Sequence, residues 1–132
     1  MARTYHIDIA AFAAGCDLKW IDNLLSHFDV SGVESARQGI ARRLSLEAIQ
    51  TIVLVRSLSR NGGLSIERAL QAADGLLAAS ADVVALNPWV DLRFDAPGFR
   101  REVETRVAQA VESVVPRRRG RPPSGGKSGG QK

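Results

Sequence analysis

IDIAAFAAGCDLKWIDNLLSHF, residues 7–28, decides how the rest of the chain is read. Its first part, residues 7–15, is short, apolar and alanine-rich, a composition that favours helix. Asp8 stands where it can cap the start, and Gly15 can end the run in the left-handed conformation. Asp17 is placed to cap a second helix over residues 18–28. There Ile21, Leu24, Leu25 and Phe28 recur at helical spacing, while Lys19, Asp22, Asn23 and Ser26 fall outward. Two short helices joined by Gly-Cys-Asp predict a tight helix–turn–helix.

The period is lost over residues 29–44, which hold Gly32 and Gly39 among short β-compatible pieces. This stretch predicts an irregular loop or small hairpin carrying Arg37, Arg42 and Arg43. Two helix starts follow, LSLEAI (44–49) and LSIERAL (64–70). In each, Ser45 or Ser65 can cap the free backbone N–H groups, and Glu47 or Glu67 faces the positive end of the helix dipole. Leu44 can staple against Ile49 across the first cap. The helix over 46–60 is apolar almost all round at residues 52–55, so it is expected to be central and buried. Asn61-Gly62-Gly63 stops it, and a helix over 66–79 shows the stripe Ile66, Ala69, Leu70, Ala73, Leu76 and Leu77.

WVDLRF (89–94) alternates Val90, Leu92 and Phe94 against Asp91 and Arg93, as a half-buried strand does. DVVAL (82–86) is its natural partner across Asn87-Pro88. Asp95 and Pro97 then open a long helix to about Val115. Its seam of Phe99, Val103, Val107, Ala110, Val111 and Val114 either packs back on the core or pairs with a second copy. The narrowness of the seam favours pairing, which makes Phe99, Val103, Val107, Val111 and Val114 the expected dimer interface.

The 132 residues suit one domain with extensions, and the apolar content is mostly aliphatic. No stretch is long and apolar enough to predict a membrane span, and the N-terminus lacks the pattern of a secretory leader. Cys16, the single cysteine, allows neither a disulfide framework nor a metal cluster. His6 and His27 lack partners at metal spacing. GGKS (125–128) fails as a phosphate loop, because Arg121 stands where that motif needs glycine. No residue sits in a recognisable nucleophile or acid–base setting. The expectation is a cytoplasmic protein that is not an enzyme, with no cofactor, no metal, no membrane contact and no small-molecule substrate.

The formal charge of +4 divides unevenly. Residues 1–115 carry 12 Lys/Arg against 14 Asp/Glu, a balance of −2, while residues 116–132 carry six cations and no acid. Such asymmetry points to a polyanion-binding arm. With no apolar residue to offset the entropy of ordering, the arm is expected to be disordered when free.

The order of parts resembles the MerR-type winged helix–turn–helix regulators of bacteria. Tyr5, Ile7, Ala11, Gly15 and Ile21 stand at the spacings of that family's first two helices. Gly39, Ile40, Arg42, Leu44 and Ser45 follow the scheme of its wing with one residue extra, and GLSIERAL looks like its next helix. The likeness covers about residues 5–78. Asp22, Asn23 and Leu24 depart from the Arg-Tyr-Tyr type of recognition helix, and the metal-binding cysteines of sensor members are missing.

The tail resembles an AT-hook. Arg119-Gly120-Arg121-Pro122 reproduces its core after Arg117 and Arg118. A narrow A·T minor groove concentrates negative potential that favours inserted guanidinium groups. Glycine lets the backbone lie on the groove floor, and proline holds it extended.

These resemblances imply a mainly α fold with three parts. Residues 1–80 form a winged helix–turn–helix, 81–115 a strand–helix extension that dimerises, and 116–132 a basic tail. The implied partner is double-stranded, A·T-rich DNA at the nucleoid, bound by a homodimeric transcriptional regulator or nucleoid-associated factor. Lys19, Trp20 and Asn23 would face the major groove, and Arg37, Arg42 and Arg43 the phosphates. The alternatives are a protein–protein adaptor or antitoxin-like subunit whose tail is incidental, and an RNA-associated accessory protein.

Overall fold

Strand β1, Thr4–His6, leads without a loop into helix α1, Ile7–Ala14, in a computed structural model that describes residues 3–34, 42–78 and 82–113. The helix is capped by His6, whose Nδ1 accepts from Asp8 N–H at 3.2 Å. This corrects the expectation that Asp8 caps it. Because β1 holds Tyr5 and His6 extended, the helix begins at Ile7, and Asp8 already lies in the first turn, where its charge suits the dipole. Gly15 closes α1 at φ 69, the left-handed conformation foreseen for it. Asp17 then caps α2, Leu18–His27, by accepting from Trp20 N–H at 2.9 Å.

Two further short strands, β2 (Val33–Glu34) and β3 (Arg43–Ser45), pair antiparallel, with Val33 opposite Leu44 and Glu34 opposite Arg43. Of the irregular loop or small hairpin expected here, the described residues show the strand pairing of a hairpin, residues 35–41 lying outside them, and β1 adds a strand that the sequence did not announce. It pairs with the other edge of β3, with Tyr5 opposite Leu44, so the order is β1-β3-β2. Three residues are too few to show an alternating pattern. The central residue, Leu44, is completely buried.

Ser45 ends β3 and caps α3, Leu46–Arg60, its Oγ accepting from Ala48 N–H at 3.1 Å. Ala48, Ile49, Ile52 and Val55 are fully buried, as a central helix requires. Ser65 Oγ accepts from Arg68 N–H at 3.2 Å at the start of α4, Ile66–Ala78. That helix turns Ala69, Leu70, Ala73 and Leu76 inward against α3. Helices make up 63 % of the described residues, so the fold is mainly α with small antiparallel sheets.

The strands foreseen near residues 82–94 form the hairpin β4 (Val83–Asn87) and β5 (Val90–Arg93), with Val84 opposite Leu92. Leu92 and Phe94 are half-buried, and the Phe94 and Phe99 rings lie 5.2 Å apart. Val90 does not follow its alternation partners inward; it is exposed beside a register shift between Ala85 and Asn87.

Helix α5, Ala96–Ser113, starts on Asp95, whose Oδ1 accepts from Gly98 N–H at 3.1 Å. It lies against α1 and α3 and joins the same apolar core. Val103, Val107 and Ala110 are buried there and Phe99 is half-buried, whereas Val111 stays exposed. The seam expected to pair with a second copy therefore packs inward at Phe99, Val103 and Val107, which corrects their assignment to a dimer interface. Val114 lies outside the described residues. Nor does the packing break near residue 80, since α5 shares its core with α1, α3 and α4.

Two arginines fasten α5 further. Arg100 donates from Nη1 to Gln50 Oε1 at 2.9 Å and from Nη2 to Leu77 O at 3.0 Å. Gln50 is a polar side chain buried in the core, and this bond satisfies its carbonyl. Arg106 Nη1 donates to Ala13 O at 3.0 Å. The last-turn carbonyls of α1 and α4 thus find donors on a helix that follows both in sequence.

Candidate nucleic-acid interface

The core holds α2 by Ile21 and Leu24, and this fixes which side faces out. Lys19, Asp22, Asn23 and Ser26 are all exposed and, at helical spacing, form one polar stripe. The three-residue turn at Gly15 sets the angle of this helix on α1. Gly15 N–H donates to Phe12 O at 3.2 Å and Cys16 N–H to Ala11 O at 3.1 Å.

Arg42, the residue before β3, reaches the stripe. Its Nη1 donates to Asp22 Oδ1 at 3.0 Å, and its Nη2 lies 3.5 Å from Ser26 Oγ. Arg42 thus meets the stripe at Asp22 and Ser26, and its charge is opposed by Asp22. A surface built this way carries less positive potential than its cationic residues alone suggest.

Two of the expected contact residues are placed elsewhere. Arg43 donates from Nε to Thr4 Oγ1 at 3.3 Å and from Nη2 to Thr4 O at 3.1 Å. Its guanidinium fastens β3 to β1, which corrects its reading as a phosphate ligand. Trp20 is half-buried and turned toward α3, where the Arg56 guanidinium lies 4.9 Å from its ring centroid. Trp20 therefore takes part in packing α2 against α3. Arg37 and residues 117–122, with the Arg-Gly-Arg-Pro core, lie outside the described residues.

Sequence reasoning passed over Arg56. The signal was available, since Arg56 breaks the apolar run of residues 52–55 at the point where α3 passes beside Trp20. A shallow cleft of about 280 Å³ adjoins the stripe, lined by Trp20, Asn23, Leu24, His27, Phe28 and Ile66. His27 Nδ1 and Asn23 O are 2.8 Å apart on its rim, an i to i−4 contact that closes the last turn of α2.

Cys16 is half-buried under the turn. Burial pushes its thiol up from the ordinary value, Arg56 opposes that and Asp17 adds to it. Among the described residues no three His, Cys, Asp or Glu side chains converge as metal ligands. No helix among them is long and apolar enough to cross a membrane.

No protein-family model matches the chain. Comparison with curated proteins finds no match. Comparison with solved structures finds none either.

Proposed function

We propose that the protein binds double-stranded DNA as a small transcriptional regulator or nucleoid-associated factor. In this reading β1 to α4 are a winged helix–turn–helix of the MerR type. Helix α2 is its recognition helix, and the β2–β3 hairpin with its connecting residues is its wing. The tail enters an A·T-rich minor groove through Arg119-Gly120-Arg121-Pro122, supported by Arg117 and Arg118.

The observation that carries the reading is the exposed α2 stripe of Lys19, Asn23 and Ser26, in a chain that ends in six cations with no acid. Asn and Lys are capable base readers. A weak body contact and a short arm, tethered together, reinforce each other through effective concentration. Asp22 and the −2 balance of residues 1–115 instead favour the second reading, a partner-binding adaptor.

Fluorescence anisotropy of the full chain on A·T-rich duplex, G·C-rich duplex and RNA separates these readings. The A·T-rich duplex is expected to bind tightest. Arg119→Ala with Arg121→Ala should abolish that preference and lower the salt dependence by about one unit of slope per cation removed. Lys19→Ala with Asn23→Ala should weaken duplex binding while leaving the A·T preference. Failure of the full chain to bind any duplex at low salt rejects the proposal in favour of the adaptor, and tighter binding to RNA rejects it in favour of an RNA-associated role.

A further inference from the structure

Trp89 sits at the turn of the β4–β5 hairpin and is 87 % exposed, with Val83 and Val90 also uncovered nearby. Beside it runs a strand edge to which nothing pairs among the described residues. Strand β4 is tied to α4 by Arg68, which donates to Leu86 O at 3.0 Å, while β5 pairs only with β4 among the described residues. Phe94 N–H donates to Asp82 O at 2.7 Å, and Val84 stands opposite Leu92. Antiparallel ladders alternate, so Leu92 turns its backbone groups toward β4, and Asp91 and Arg93 turn theirs to the free edge. Both side chains are exposed, and neither joins an ion pair among the described residues.

We propose that β5 pairs antiparallel with β5 of a second copy, about a two-fold axis at Leu92. In that register Leu92 faces the partner's Leu92, and Asp91 faces the partner's Arg93. The two-fold axis repeats the second contact, since Arg93 faces the partner's Asp91. The outward N–H and C=O groups of residues 91 and 93 then meet their counterparts in hydrogen-bonded pairs, and an opposite-charge pair lies on each side of the axis. An isologous contact requires a self-complementary surface, and Asp-Leu-Arg complements itself when run antiparallel. Moving the axis to Asp91 or to Arg93 would set like charges opposite each other, so the charges select one register.

Continued one residue before β5 and two residues past its end, the same register would bring the partner's Trp89 level with Asp95. A cleft of about 630 Å³ lies there, lined by Asp82, Arg93, Phe94, Asp95, Ala96 and Pro97. Phe94 and Pro97 supply apolar wall, the Arg93 guanidinium suits the face of an indole, and the carboxylates of Asp82 and Asp95 suit its N–H. An exposed indole and a cleft of matching chemistry thus lie at equivalent distances from the axis. The edge is short, so the dimer is reversible, with a Kd on the order of 10 µM. This inference requires no nucleic acid and stands apart from the DNA-binding reading.

Sedimentation of the full chain over a concentration series tests it, with Asp91→Arg and Arg93→Asp as single variants. The wild type should dimerise. Each variant sets like charges across the seam twice and should weaken the dimer at least about tenfold. An equimolar mixture of the two variants restores both opposite-charge pairs and should recover a heterodimer, a result that misfolding cannot produce. Trp89→Ala should weaken association without changing helicity. Wild type that stays monomeric at about 200 µM overturns the proposal, as does a dimer insensitive to both charge variants, or a mixture that fails to associate.

Discussion

Arg42 Nη1 lies 3.0 Å from Asp22 Oδ1, so the residue leading into β3 is fastened to the outward stripe of α2 by a pair between a partly exposed guanidinium and an exposed carboxylate. This contact joins the two elements that the DNA-binding reading needs side by side, and it also holds back the cation they would offer to phosphate.

Asp22→Asn should therefore tighten duplex binding by several-fold, about 1 kcal/mol, with a salt slope steeper by about one. Thermal stability should change by less than about 1 kcal/mol, because pairs this exposed contribute little. Anisotropy titrations at several salt concentrations, alongside thermal melts, check both.

Val103→Ala and Val107→Ala should each cost about 2–3 kcal/mol, as expected for removing buried methyl groups from a packed core. Val111→Ala, at an exposed position on the same helix, should cost less than about 1 kcal/mol. Urea denaturation distinguishes them, and equal effects at all three positions would contradict the inward packing of α5.

Gly15→Ala and Gly32→Ala should both destabilise, but unequally. Both glycines have positive φ, 69 and 88, which costs any other residue about 1 kcal/mol. Open space surrounds Gly15, whereas a Cβ at Gly32 would collide with Ser45 Oγ, the atom that caps α3. Gly32→Ala should therefore cost more, by roughly the value of a helix cap, about 1 kcal/mol. Paired denaturation curves give the difference.

The raised Cys16 thiol sets a pH dependence. Below the ordinary thiol range both folded and unfolded forms carry it neutral, and its contribution is fully present. As pH rises through that range the unfolded chain ionises first, which favours unfolding. Stability should fall on the alkaline side, and Cys16→Ser should remove that part of the fall. Labelling of the native thiol at neutral pH should be slow compared with labelling in denaturant.

The helices were legible because each carries its own local signals. Asp17, Ser45 and Ser65 cap where the sequence placed them, Gly15 stops α1, and α3 shows the all-round apolar pattern of a central helix. Strand β1 was not legible, because Thr4, Tyr5 and His6 become a strand only when β3 lies alongside. For α5 the seam was visible but its destination was not, since the same valines suit a partner helix or the chain's own core. Contacts across the fold were similarly hidden. Nothing local says that Arg43 turns to Thr4, 39 residues away, or that Arg42 turns to Asp22, 20 residues away.

The reach of Arg100 and Arg106 limits how this chain can be dissected. A fragment cut after α4 would lose the guanidinium groups that quench the trailing carbonyls of α1 and α4, and would bare the aliphatic pocket that Val103 and Val107 fill. The smallest transplantable unit therefore includes α5, and shorter grafts of the amino-terminal helices would arrive as sticky, half-ordered peptides.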